Sequence, residues 1–107
     1  MPKYVIERNM PGAGSLTPDQ LGAIADRSFR ALDEIGPQIQ WVESFVTADK
    51  IYSIYIARDV KLIREHAYLS GVPADSICEV TSVIDPSTAR EVRRVEEQDV
   101  AKESGIY

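Results

Sequence analysis

Residues 40–57, QWVESFVTADKIYSIYIA, decide the fold of this chain. Residues 40–47 alternate in the manner of a strand, and residues 51–57 are rich in β-branched and aromatic residues, which are typical of strands. The three-residue link Ala48-Asp49-Lys50 between them is short enough for a hairpin. The stretch therefore predicts two antiparallel strands in the middle of the chain.

A capped helix is predicted before this hairpin. Thr17 is a good N-cap, Pro18 suits the first helical position, and Gln20 completes a capping box. Apolar residues then recur at helical spacing as far as Ile35, where the Gly-Pro pair at 36–37 ends the helix.

The remaining elements complete the order strand, helix, strand, strand, helix, strand. A first strand is predicted over 3–8, a second helix over 59–70 and a fourth strand over 76–84. This order is that of the α+β, ferredoxin-like βαββαβ fold, in which two helices cover one face of a four-stranded antiparallel sheet. The predicted spatial order of the strands is 4-1-3-2, and the predicted domain covers residues 1–87.

The C-terminal tail, residues 88–107, differs from the rest. Thr88 and Glu91 have the spacing of a capping box, but Val92, Val95 and Val100 form only a thin apolar stripe. The pattern predicts a short helix that packs on the sheet or on a partner subunit. Disorder of the last few residues is the alternative.

Composition excludes several classes of protein. A net charge of −5 over 107 residues argues against binding to a nucleic-acid backbone. The first ten residues show no signal peptide, and no apolar run approaches the roughly 18 residues of a membrane span. The single cysteine, Cys78, cannot form an internal disulfide, so a cytoplasmic location is expected.

Strand periodicity divides the strand residues between two faces. The residues predicted to form the core under the helices are Tyr4, Ile6, Val42, Val46, Tyr52, Ile54, Ile56, Cys78, Val80 and Ile84. The residues predicted to lie on the opposite face are Val5, Glu7, Trp41, Glu43, Phe45, Ile51, Ser53, Tyr55, Ile77, Glu79, Thr81 and Val83.

This second face mixes carboxylates with large apolar side chains, which suits neither bulk water nor a dry core. A second copy of the chain is its simplest cover, so a homodimer with an interior cleft is expected. Pairing of edge strands is the alternative mode of dimerisation. Glu7 and Glu79 are predicted on adjacent strands, where they would share a proton or bind a cation. The alternative is that each glutamate meets an arginine, a lysine or water at the rim of a dimer. The candidate pocket residues are Glu7, Trp41, Glu43, Phe45, Tyr55 and Glu79.

His66 is the single histidine and the one imidazole candidate for a metal ligand. One histidine excludes the HExxH motif and any three-histidine zinc site within one chain. Oxygen donors with at most one imidazole suit hard or borderline divalent ions. The alternative for His66 is a partly buried side chain bonded to the backbone.

Several stretches together resemble domain-of-unknown-function family 4242, a small bacterial family that includes a nickel-binding protein. The resemblance covers roughly residues 3–89 and implies a ferredoxin-like fold, a homodimer and nickel binding, without catalytic residues. The stretches that carry it are YVIER (4–8), PGAG (11–14), QWVES (40–44), DKIY (49–52), REHA (64–67) and VIDP (83–86).

Three functional hypotheses follow. The first is a small, cytoplasmic, homodimeric binding protein without enzymatic activity, whose ligand is nickel, another divalent metal or a small molecule. The second is a dimeric α+β barrel enzyme of monooxygenase or isomerase type, an analogy of fold in which Glu7 or Glu79 acts as base and Tyr55 positions the substrate. The third is an adaptor whose open sheet face is only a dimer seam.

Overall fold

The computed structural model describes residues 1–103, with the side chains of residues 1–97. The strands are β1 (Lys3–Asn9), β2 (Ile39–Val46), β3 (Lys50–Ala57) and β4 (Ser76–Glu79). The helices are α1 (Pro18–Ile35), α2 (Val60–Ser70) and α3 (Pro86–Glu103), with a short 3-10 turn at Ala13–Ser15. None of the helices in this part of the chain has the length and apolarity needed to cross a bilayer.

The sheet has the order β2-β3-β1-β4 with antiparallel neighbours throughout, so β1 and β3 are central. Side chains of α1 and α2 pack on one face of it, which confirms the predicted ferredoxin-like α+β fold. β4 is shorter than predicted: it ends at Glu79, and Ile84, a predicted core residue, is 80% exposed.

Local signals in the sequence explain where the two covering helices begin and end. The Thr17 hydroxyl accepts from the Gln20 amide at 3.2 Å, and the Gln20 side chain accepts from the Thr17 amide at 2.9 Å, which is the predicted capping box. Asp59 caps α2 by accepting from the Leu62 amide at 3.2 Å. Gly71 ends α2 with a φ of 70°, a left-handed conformation that suits glycine.

The core lies between the two central strands and the helices. Its most buried large side chains include Ile6, Tyr55 and Ile63, none more than 1% exposed. Each aliphatic side chain buried to this degree stabilises the fold by about 1.5–3 kcal/mol.

The predicted division of β3 between the two faces is wrong. Tyr4 pairs with Tyr55 and Ile6 with Ser53, and directly paired residues share a face. The β3 residues under the helices are therefore Ile51, Ser53, Tyr55 and Ala57, whereas Tyr52, Ile54 and Ile56 lie on the open face. Both sides of β3 are largely apolar, so hydrophobicity could not fix its phase.

A β-bulge changes the phase of β2. Trp41 pairs with Tyr55, but the next paired residue is Glu43, opposite Ile54, so Val42 is an extra residue. As a result Trp41 lies on the helix-covered face, not the open one. Val42, predicted in the core, is 47% exposed.

Three predicted face assignments in β4 are wrong. Glu79, predicted on the open face, pairs with Tyr4 and so belongs to the helix-covered side. Cys78 pairs with Val5 on the open face and is exposed, so it is not a core residue. Ile77 pairs with Ile6 and packs against the core, although it was predicted on the open face. The expected alternation along this strand is present, but with the opposite phase.

Helix α3 has 18 residues and is longer than the predicted short helix. Every side chain from Pro86 to Glu97 is exposed, including Val92 at 54% and Val95 at 56%, so this segment does not pack across the sheet. The side chain of Val100 and the predicted disorder of the last residues fall outside the described part. The domain boundary at residue 87 stays a prediction.

His66 joins α2 to α1 inside the core. The side chain is fully buried, and its Nε2 lies 3.0 Å from the carbonyl oxygen of Ser28. Its ring packs at a tilt of 55° against Tyr55, with centroids 5.1 Å apart, and its Nδ1 has no partner within the described structure. Burial lowers the pKa of His66, because the charged imidazolium loses its hydration; the bond to the Ser28 carbonyl opposes this shift, and the positive charge of Arg8 adds to it.

The close approach of Gly14 to the β2–β3 turn gives the first prediction. An added Cβ at Gly14 would lie 2.9 Å from the Ala48 Cα and 3.2 Å from the Thr47 carbonyl oxygen. We expect Gly14→Ala to lower the free energy of unfolding by about 1–3 kcal/mol, measured by urea denaturation. The control is Gly22→Ala in α1, where an added Cβ meets no atom within 4 Å. We expect this control to raise the free energy of unfolding by about 0.5–1 kcal/mol, because alanine favours the helix over glycine. An unchanged free energy of unfolding in Gly14→Ala would contradict the close approach of Gly14 to the β2–β3 turn.

The buried imidazole gives the second prediction. The contribution of His66 to stability is fully present above the unperturbed histidine pKa of about 6.5, and is lost as the pH falls toward its lowered pKa in the folded state. We expect urea unfolding to show decreasing stability between about pH 7 and pH 5. His66→Gln removes the only histidine and should therefore remove this part of the decrease in the free energy of unfolding with falling pH. If the stability of both proteins depends equally on pH, His66 is not the group responsible.

Candidate functional site

A cavity of about 180 Å³ lies between the N-terminal half of α1 and the helix-covered face of the sheet. Its apolar walls are Leu21, Ile24, Ala25, Val46, Ile51 and Val72, and its polar and aromatic lining is Arg8, Ser28, Trp41, Ser44, Ser53 and Tyr55.

Arg8 is the one charged residue in this lining and is only 2% exposed. β1 carries it to the helix-covered face because it follows Tyr4 and Ile6 at a period of two. Its Nη1 donates to the carbonyl oxygens of Val72 at 3.2 Å and Pro73 at 2.7 Å. Burial lowers the pKa of Arg8, but a guanidinium keeps its charge at any physiological pH.

The described residues supply no ion pair for Arg8. Asp75 acts on it from a distance and raises its pKa, but the Asp75 carboxylate accepts from the Asn9 amide at 2.6 Å. The guanidinium carbon lies 6.0 Å from the centre of the Tyr55 ring, within reach of a cation–π interaction. Burial raises the pKa of the Tyr55 hydroxyl, and the positive charge of Arg8 opposes that shift.

Two serines extend the polar lining from Arg8 to Trp41. The pairing of β2 with β3 places Ser44 opposite Ser53, and their hydroxyl oxygens lie 2.7 Å apart. Arg8 Nε donates to the Ser53 hydroxyl at 3.4 Å, and Trp41 Nε1 donates to the Ser44 hydroxyl at 2.9 Å. The chain of contacts fixes a guanidinium, two hydroxyls and an indole on one side of the cavity.

The six predicted pocket residues fall on different parts of the sheet. Trp41 and Tyr55 line the cavity on the helix-covered face. Glu43 and Phe45 lie on the open face, opposite Ile54 and Tyr52 respectively. The structure therefore does not bring the six together into one pocket.

Glu7 and Glu79 are separated by the sheet. Glu79 pairs with Tyr4 and is exposed, whereas Glu7 pairs with Ser76, three residues further along β1 from Tyr4. Side chains an odd number of residues apart in a strand point to opposite faces. The predicted carboxylate pair is therefore not formed. Instead Glu7 forms an ion pair with Lys50 on the open face, and the hydrogen bond and negative charge of Glu7 raise the pKa of Lys50.

No metal centre is assembled by the described residues of one chain, since they contain no group of three histidine, cysteine, aspartate or glutamate side chains close enough to hold an ion. The Nε2 of His66 is already bonded to the Ser28 carbonyl. The donors of a single copy, as far as they are described, do not fit a nickel ion by themselves.

The sequence analysis missed Arg8, Ser44 and Ser53 as site residues. A signal for Arg8 was present: a charged residue follows Tyr4 and Ile6 at strand spacing on the predicted core face. The two serines carried no such signal, because only the paired register of β2 and β3 brings them together.

Comparison with known proteins supports the fold and gives a family. A crystal structure of SCO4226 from Streptomyces coelicolor A3(2) superposes with a TM-score of 0.66 and 16% identity, covering 77% of this chain and 99% of that one. Curated proteins give no match. A family model described as "Nickel responsive protein SCO4226-like" matches residues 4–80, in keeping with the resemblance found in the sequence. Because that match spans more than half of the chain, the protein belongs to the SCO4226-like family of nickel-responsive proteins.

Proposed function

We propose that this chain is a small binding protein without enzymatic activity, and that its ligand occupies the cavity beneath α1. The observation that carries the proposal is Arg8, a charged side chain that is 2% exposed, lines the cavity and has no ion-pair partner among the described residues. Burying a charge without a counter-charge is costly. An anionic group of a ligand in the cavity would supply the counter-charge that Arg8 lacks.

The hydrogen bonds around the cavity favour binding over catalysis. The hydroxyls of Ser44 and Ser53 bond to each other, and the nearby His66 bonds to a backbone carbonyl. Nucleophilic catalysis needs a base within hydrogen-bond distance of the nucleophile, and the described contacts contain no such pair. The enzyme alternative, a monooxygenase or isomerase with a glutamate base, also loses its Glu7–Glu79 pocket, because the two carboxylates lie on opposite faces.

Nickel is a second candidate ligand, supported by the description of the family. Since the described part of one chain lacks three clustered donors, we propose that nickel binds between two copies of a homodimer that pack through their open faces. The open face offers Glu7, Glu43 and the free thiol of Cys78 as donors. That thiol is also compatible with the proposed cytoplasmic location, where cysteines stay reduced.

Blocking the cavity tests the main proposal. Ala25 lines the cavity, whereas Ala23 is exposed on the same helix, so Ala25→Phe should fill the space and Ala23→Phe should not. In a thermal-shift screen of small molecules, we expect compounds that stabilise the wild type and Ala23→Phe but not Ala25→Phe. If no compound stabilises the wild type, or all three proteins respond equally, the proposal is wrong.

Calorimetry with chelator-stripped protein tests the nickel proposal. We expect heat of binding at neutral pH with a dissociation constant of roughly micromolar or weaker, because the proposed donors include no imidazole and are mostly carboxylates, which bind late transition metals poorly. Sedimentation should show a dimer with and without the metal. Glu7→Gln and Cys78→Ser should weaken binding, while Glu91→Gln on the exposed part of α3 should not. Absence of any heat would remove nickel as a ligand.

A further inference from the structure

We propose that the cavity beneath α1 binds an organic monocarboxylate, with the carboxylate toward Arg8 and the serine pair and the apolar part of the ligand along α1. The inference rests on the proposed function of the cavity as a ligand site and adds the chemical class of the ligand. It is carried by three features of the lining: its charge, its free hydrogen-bond donors and its apolar walls.

The positive charge of the lining favours a negatively charged ligand. Arg8 places one positive charge on the wall, and no carboxylate of the described structure pairs with it. The carbonyl groups of Val72 and Pro73 satisfy Nη1 but bring no negative charge. A ligand with one negative charge would complete the site, because an ion pair of matched charge offsets the cost of burying a guanidinium.

The hydrogen bonds leave at least one hydroxyl donor free on the polar side of the cavity. The hydrogen bonds of Arg8 to Ser53, Val72 and Pro73 use Nε and Nη1 and leave Nη2 out, and the other polar side-chain group beside the guanidinium is the Tyr55 hydroxyl. Between Ser44 and Ser53 only one hydroxyl hydrogen is used in their mutual bond. Both oxygens also accept, from Trp41 and from Arg8, so the second hydroxyl hydrogen is free to donate. Carboxylate oxygens are acceptors only and match this arrangement.

The opposite walls require an apolar body on the anion. Leu21 and Ile24 of α1 face Trp41 and Val46 of β2 across the cavity. Inorganic phosphate or sulfate would leave this surface without contact and would have to lose its hydration. A volume of about 180 Å³ accepts a short alkyl chain or one aromatic ring besides the carboxylate.

Matched pairs of small probes test the inference on the wild-type protein. Trp41 is the only tryptophan of the chain and lines the cavity, so its fluorescence reports binding there. We expect hexanoate and benzoate to change this fluorescence to saturation below about 10 mM, a range that includes the millimolar affinity of small fragments. Hexanamide, benzamide and inorganic phosphate should bind at least about tenfold more weakly, because each lacks the charge or the apolar body.

Two variants locate the carboxylate. Ser53→Ala removes one donor and should weaken hexanoate binding about fivefold, the effect of one hydrogen bond, whereas Ser82→Ala in the exposed chain after β4 should have no effect. Arg8→Met should remove the preference for hexanoate over hexanamide. If Arg8→Met does not fold, the comparison of the two probes on the wild type still decides the inference.

The outcomes separate this inference from the proposed function. If the amides bind as tightly as the carboxylates, or phosphate does, the monocarboxylate inference is overturned while the cavity remains a ligand site. If none of the five probes changes the Trp41 fluorescence but other compounds are blocked by Ala25→Phe, the inference alone also fails. If no compound of any kind binds, both fail.

Discussion

The pairing of β1 with β3 at the centre of the sheet places Tyr4, Ile6 and Arg8 on the same face as Ser53 and Tyr55. Tyr4, Ile6 and Tyr55 form part of the core. The same register brings the guanidinium of Arg8 close to the Ser53 hydroxyl and the Tyr55 ring. A shift of β1 by one residue would move Tyr4, Ile6 and Arg8 to the open face and separate them from Ser53 and Tyr55. The stability of the centre and the composition of the cavity therefore depend on one register.

The polar groups of the cavity are held by rigid elements. Arg8 comes from one central strand and Ser53 from the other, while Ser44 and Trp41 come from β2. α1 covers the cavity with apolar side chains. Its capping box fixes where the helix begins, and the bond from His66 of α2 to the Ser28 carbonyl links it to α2. Side chains placed on paired strands keep their mutual distances better than side chains on loops.

The fold could be predicted from the sequence because its signals are local: the capping box at Thr17, the Gly-Pro stop at 36–37 and the hairpin link at 48–50. The site could not, because its geometry depends on the phase of two strands. β3 is apolar on both sides, and Val42 at the bulge of β2 has no sequence signal of its own. Of the predicted pocket residues, Trp41 and Tyr55 do line a cavity, but on the face opposite to the one predicted.

The bulge at Val42 lies in an outer strand and makes that edge of the sheet irregular. β2 is an outer strand, and its extra residue interrupts the regular row of backbone groups that another chain would need for strand addition. The other outer strand, β4, offers only four residues. Both margins of the sheet are thus poor templates for lateral growth, which protects the protein from forming extended β-aggregates.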